Sequence, residues 1–218
     1  MKDNRVPLQA HLSMFAAEAI WGLMAPVGKA AMNSGFDGIS VVSFRVVGAA
    51  LLFWVASLIG PREHIPVRDI VKLAGAALLG IVFNQGLYNI GLSITSPVNA
   101  SIVTTSMPIF AMVLSFFILK EPITWKKALG VAIGCGGALI LILSSAHAGS
   151  AKVGNIRGDL MCFGAQFSFA LYLALYNPII RKYNVFTVNK WMFTWASLFV
   201  LPFTSWHVSQ LPWTTFTA

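Results

Sequence analysis

Charge is what this sequence has least of. Only 10% of its residues are Asp, Glu, Lys or Arg, where a soluble domain carries roughly 25%, so a water-facing surface cannot be assembled from it. Acidic residues are scarcer than basic ones, seven against fifteen, which leaves a formal net charge of +8. Cysteine is nearly absent: Cys135 and Cys162 both fall inside apolar stretches, where a structural disulfide is unusual, and they read as small packing residues. The four histidines, His11, His64, His147 and His207, stand singly near the ends of apolar stretches with no partner at metal-ligand spacing. There is no Walker-type phosphate loop, which argues against nucleotide hydrolysis, and no cofactor is expected.

What the chain has instead is hydrocarbon: 57% of it is hydrophobic. Stretches of about 20 apolar residues, enough to cross a hydrocarbon core of roughly 30 Å, fall at Leu12–Met32, Ile39–Ile59, Ile70–Leu92, Pro97–Leu119, Trp125–Ser145, Gly158–Ile180 and Phe186–His207. They predict an all-α fold, a polytopic membrane helix bundle of about seven spans with a lipid bilayer as its solvent and no room for a soluble domain. Trp191, Trp195, Trp206 and Trp213 cluster towards span ends, as aromatic belts do. The first span is too long for a signal-peptide core and is expected to remain as a helix.

The positive charge is a topology signal and does not point to nucleic acid. Lys2, Arg5, Arg62, Arg68, Lys72, Lys120, Lys126, Lys127, Arg181 and Lys182 fall on one side of the predicted spans, and only Lys152 and Arg157 in loops on the other. The positive-inside rule then places the N-terminus in the cytoplasm and, with an odd number of spans, Ala218 outside.

Residues 146–157 form the one loop long enough to be a boundary, a Gly/Ala/Ser stretch that separates five spans from two. Sliding the chain on itself so that Gly158 onwards covers the first span pairs Leu12 with Leu160, Phe15 with Phe163, Ala17 with Ala165, Leu23 with Leu171 and Glu18 with Gln166. Five preceding spans invert the second copy, which fits an inverted-topology repeat. The expected units are residues 8–146 and 156–218, the second incomplete, so that a longer sequence is expected.

The run Ala77 to Gly80, then Asn84, Gln85, Tyr88, Gly91 and Leu92, then Thr95 to Val103, Pro108, Lys120-Glu121-Pro122 and Gly130 to Gly137 resembles the EamA-type permeases of the drug/metabolite transporter superfamily. Trp21-Gly22 and Arg45 fit the same pattern. The resemblance implies a ten-helix fold of two five-helix repeats in the inner (plasma) membrane, carrying small organic metabolites such as amino acids, without enzymatic activity. It is compatible with a homodimer. It also places Trp21 on the substrate side and gives Arg45 and Glu121 structural roles.

Several residues carry the candidate site. Glu18 lies within the first span, where a carboxylate is costly unless it faces a cavity, pairs or is protonated. It is the candidate for a coupling proton or a substrate amine, against a structural role between helices. Asn84, Gln85, Tyr88 and Asn89 are spaced to share one helical face, and a polar face at that depth must meet protein or water. They read as a cavity wall, against interhelical hydrogen bonding. In the fourth span Asn99 and Thr104 precede Pro108, which lacks an N–H and frees the Thr104 carbonyl; Ser101 and Thr105 suit packing. Gln166 and Tyr172 give the sixth span a polar complement, with Gln166 overlying Glu18. Lys29 reads as a snorkelling residue, and Arg45 as a partner for Asp37 or for carbonyl groups. Gly130, Gly134 and Gly137 form small-xxx-small spacings expected to pack against a helix.

These observations favour a secondary-active membrane transporter (a permease or exporter) working by alternating access. Span count alone also suits a seven-helix receptor, but the charge bias opposes its usual external N-terminus and Lys190 lies at the cytoplasmic end of the last span. A membrane-embedded enzyme needs a nucleophile and base or a metal set on facing helices, and the sequence has neither. A truncated product that inserts and transports nothing stays open.

Overall fold

A computed structural model describes residues 8–59, 63–145 and 155–211. Lys2, Arg5, Arg62, Lys152, His147 and Trp213, used above for topology, metal spacing and the aromatic belt, lie outside the described residues. The described residues are helical throughout, joined by short turns, and form seven rods, several of them interrupted.

The first rod is broken. α1 (Leu8–Gly22) and α2 (Met24–Asn33) meet at Leu23, because Pro26 has no N–H to offer the Gly22 carbonyl and its ring crowds that oxygen. Gly35 takes a φ of 106°, the left-handed turn that ends a helix most cheaply when no Cβ is present. α3 (Gly38–Ile59) follows at once, its start capped by Asp37, whose Oδ1 accepts the Ser40 N–H at 3.0 Å.

The third rod changes pitch midway. α4 (Val67–Ala77) opens after Pro66, Leu78–Phe83 winds as a π-helix, and α5 (Asn84–Ile94) resumes the α-helix. Ser96 caps the next helix by accepting the Asn99 N–H, and Pro97 fills the first turn, where a missing N–H costs nothing. α6 (Pro97–Thr104) and α7 (Met107–Ile118) are separated at Thr105 and Ser106, the position at which Pro108 interrupts the ladder. Lys120, at φ 58°, turns the chain out of α7. α8 (Trp125–Ser145), α9 (Ile156–Ile180) and α10 (Val185–Ser209) complete the order, the last two capped by Asn155 and Asn184.

Four of these rods are long and apolar enough to cross a membrane: Gly38–Ile59, Val67–Ile94, Pro97–Ile118 and Ile156–Ile180. The chain is thus an all-helical polytopic bundle. α9 lies at its centre, against α5, the π-helical turn, α6 and α7, while α10 packs on α3 and α4. One core joins Val42, Val46, Leu73, Ala77, Ile81, Tyr172, Met192 and Val200, and a second joins Tyr88, Leu92, Ala100, Cys162 and Ala165.

A tight helix crossing lies between α5 and α9 and not on α8. A Cβ on Gly91 would sit 2.7 Å from the Gly158 carbonyl oxygen, and a Cβ on Gly158 would sit 2.7 Å from that of Gly91, so α5 and α9 touch backbone to backbone. By contrast a Cβ on Gly130, Gly134 or Gly137 would meet nothing within 4 Å, so no helix among the described residues packs closely on the face expected there. α8 reaches α6 chiefly through the Cys135 thiol, which donates to the Thr105 carbonyl at 3.0 Å. The break in the fourth rod leaves a cavity of about 420 Å³ between Ser101, Thr104, Pro108, Gly130 and Gly134.

Candidate functional site

The π-helical turn and α5 present their polar residues to α9. Buried Asn84 donates its Nδ2 to the Ala165 carbonyl at 2.9 Å, and Gln85 donates its Nε2 to Asn84 Oδ1 at 3.3 Å. Gln85 Oε1 is buried and accepts nothing. Gln166, next to the carbonyl that Asn84 holds, is only 4% exposed and makes no hydrogen bond among the described residues. One turn further along α5, Tyr88 is buried, while Thr104 donates its hydroxyl to the Ala100 carbonyl at 2.8 Å. Ser168 on α9 donates to the Leu79 carbonyl at 2.8 Å, a backbone oxygen within the π-helical turn, whose register spares such groups their usual partners.

Other candidates lie elsewhere. Glu18 is exposed, and no residue of α1 is buried. Trp21 is half-exposed and sets its ring edge-on to Phe169 at 5.8 Å. Asn89 turns its Nδ2 back to the Gln85 carbonyl at 2.7 Å, while its own carbonyl abuts Gly38. Tyr172 belongs to the other core, with its ring over Gly80 and its hydroxyl directed at Met192 Sδ, 3.5 Å away. Glu121 pairs with Lys127 at 3.2 Å on the surface.

The end of the bundle where α5 stops and α9 starts holds a clasp that the sequence did not disclose. Asp159 on α9 accepts the Thr95 hydroxyl at 2.6 Å and the Asn99 amide at 3.0 Å, so Asn99 serves this joint. Lys29, expected to reach headgroups, instead donates to the carbonyls of Leu92, Ser93 and Thr95 at 2.7, 3.1 and 3.1 Å, closing the C-terminus of α5 with a cation as its dipole favours. The residues were visible as polar groups beside Pro97 and Gly158, but nothing local shows that they meet. At the opposite end Asp69 receives Lys182 at 2.7 Å and Tyr183 at 2.6 Å, and the carboxylate pushes the Lys182 ammonium pKa above its ordinary value.

Arg45 does not pair with Asp37. That carboxylate caps α3 and meets His207 at 3.0 Å, whereas Arg45 Nη2 points to Met24 Sδ at 2.9 Å. Beside it, between α2 and α3, lies an apolar cavity of about 540 Å³.

A helical bundle with apolar rods outside and amide, hydroxyl and guanidinium groups gathered where rods meet is the build of a polytopic membrane transporter. The family model of the EamA-like transporter family matches residues 8–143, and the chain belongs to that family. An uncharacterized transporter of Archaeoglobus fulgidus is 27% identical over 183 residues, covering 84% of this chain and 63% of the relative. The uncharacterized transporter YetK of Bacillus subtilis is 22% identical, covering 92% and 61%. Protein WALLS ARE THIN 1 of Arabidopsis thaliana is 25% identical, covering 96% and 56%. The chain therefore spans about three fifths of the length of these curated relatives. No solved structure matches it.

Proposed function

We propose that this protein is a secondary-active permease for small organic metabolites, amino acids or related compounds among them, and that it acts as a carrier and not as an enzyme. The observation that carries the reading is the buried Gln85 Oε1, which accepts no hydrogen bond among the described residues, on a helix packed against the one that carries buried Gln166. A buried amide oxygen without a partner costs about 1 to 3 kcal/mol, a cost that a polar substrate removes on binding. The π-helical turn just before Asn84 supports the same location, since such turns occur frequently at functional sites.

On this reading the units are two inverted repeats, residues 8–146 and the start of a second from 156, within a ten-helix whole. The protein sits in the inner membrane with its N-terminus in the cytoplasm, and a homodimer is one form it takes. Gln85, Gln166 and Tyr88 contact substrate, with Asn84 and Thr104 positioning them. Glu18 takes up a coupling proton once the outer face of α1 is covered in the whole transporter.

The test is exchange of radiolabelled amino acids and organic acids into proteoliposomes. Gln85→Leu and Gln166→Leu should abolish saturable uptake while both proteins remain folded, and Glu18→Gln should leave binding measurable but remove the pH dependence. Uptake unchanged in both glutamine variants would sink the proposed site.

A further inference from the structure

Arg45 is a half-buried cation for which the described residues supply no anion. Asp37 serves Ser40 and His207, Glu63 accepts the Asn184 N–H, Asp69 holds Lys182, Glu121 holds Lys127, Asp159 holds Thr95 and Asn99, and Glu18 is exposed on α1. The hydrogen bond that Arg45 does make goes to a thioether, a weak acceptor that leaves most of the five guanidinium donors unused. It stands seven residues into α3, about 10 Å from that helix's outer end, at a depth where an unpaired charge is costly and marks a functional site.

The same guanidinium borders the cavity of about 540 Å³, whose other walls are Met24, Val27, Ala31, Phe36 and Phe44. We infer that this cavity is a subsite for an amphipathic monocarboxylate, with Arg45 holding the carboxylate and Met24, Val27, Phe36 and Phe44 holding the apolar body. The fork of N–H donors fits a planar carboxylate in a bidentate pair. One cation in an apolar wall neutralises one negative charge and leaves a second uncompensated, which selects a monoanion over a doubly charged phosphate. The volume lies in the range that encloses a compact ligand, too small for two acyl chains. The depth of Arg45 is likewise below the level of a lipid headgroup. The inference deepens the transport reading by naming a substrate class, and it rests on that reading only for movement of the ligand.

The experiment is equilibrium binding to the full chain in nanodiscs of zwitterionic lipid, with radiolabelled phenylacetate and its neutral amide, phenylacetamide. Phenylacetate should bind saturably and the amide at least tenfold more weakly. Arg45→Gln should erase that preference. Because this variant could misfold, Ala31→Phe provides a second test: it fills the cavity without touching the charge and should weaken phenylacetate at least tenfold while leaving thermal unfolding unchanged. Equal binding of acid and amide, no saturable binding, or wild-type affinity in Ala31→Phe overturns the subsite. Displacement of phenylacetate by phosphatidylglycerol with the same dependence on Arg45 makes it a lipid site and overturns the substrate assignment. Cavity-dependent binding in a protein that moves no solute leaves the subsite standing and removes the transport reading; uptake of other solutes without acid binding does the reverse.

Discussion

Gly91 and Gly158 meet backbone to backbone where α5 crosses α9, each lying where the other's carbonyl oxygen would stand 2.7 Å from a Cβ. This contact sets the spacing of the two helices that carry Asn84, Gln85, Tyr88 and Gln166. A methyl at either position has backbone on the far side, which cannot swing away as a side chain can.

Gly91→Ala and Gly158→Ala should therefore each lower stability by about 1 to 3 kcal/mol, the range for overpacking a tight interior. Gly134→Ala, with open space around the added carbon, should be neutral or stabilise by roughly 0.5 to 1 kcal/mol, the ordinary helix preference for Ala over Gly. Thermal unfolding in detergent distinguishes the two outcomes; equal effects at all three sites would contradict the crossing.

The clasp of Lys29 and Asp159 should loosen when either of its ends is cut. Lys29→Met removes a charged donor from three carbonyls, and Asp159→Ala removes the acceptor for Thr95 and Asn99. Each should cost on the order of 1 to 3 kcal/mol, as for hydrogen bonds to charged groups. Amide exchange should quicken in residues 92–99 before it does elsewhere, and protection retained there in both variants would count against the joint.

The pairing of Asp69 with Lys182 at the opposite end should be insensitive to pH in the physiological range. Asp69 raises the Lys182 pKa, so the stability this lysine contributes is fully present below its unfolded value near pH 10.4 and is lost only as pH rises through the higher folded value. The difference in thermal stability between the wild type and Asp69→Asn should thus stay constant from neutral pH to about pH 9 and shrink above about pH 10.4. A difference that shrinks on going from pH 7 to 9 would assign the effect to another group.

Topology follows from the basic residues. A cysteine at Ser93, beside the clasp of Lys29 and Asp159, should react with an impermeant maleimide in intact cells, whereas one at Glu63 should react only after the cells are opened. The reverse pattern would invert the chain in the membrane.

Much of this protein was legible before folding. Apolar length predicted the rods, Pro26 and Pro108 coincide with the breaks in the first and fourth, and Ser96-Pro97 marks a helix start, because these are properties of a few neighbouring residues. The helical face shared by Asn84, Gln85, Tyr88 and Asn89 was read from spacing alone. Less legible was the change of pitch at Leu78–Phe83, for which Gly80 was the sole local hint, and the glycine pair that makes the tight crossing. Periodicity pointed to α8 because Gly130, Gly134 and Gly137 are spaced for packing, but a stripe of small residues permits close approach without supplying the partner.

The sequence by itself determined that this chain is a helical membrane protein, since the need to satisfy backbone groups in hydrocarbon leaves a helix as the outcome for apolar stretches of this length. Only the tertiary structure decided the partners of its few polar side chains. Asp159 joins residues some 60 positions away, Lys29 closes a helix it precedes by as many, and Arg45 is left beside an apolar cavity because Asp37 is taken by Ser40 and His207. Hydrogen bonds and ion pairs form at about 3 Å, so they depend on where whole helices cross, which backbone propensity does not encode.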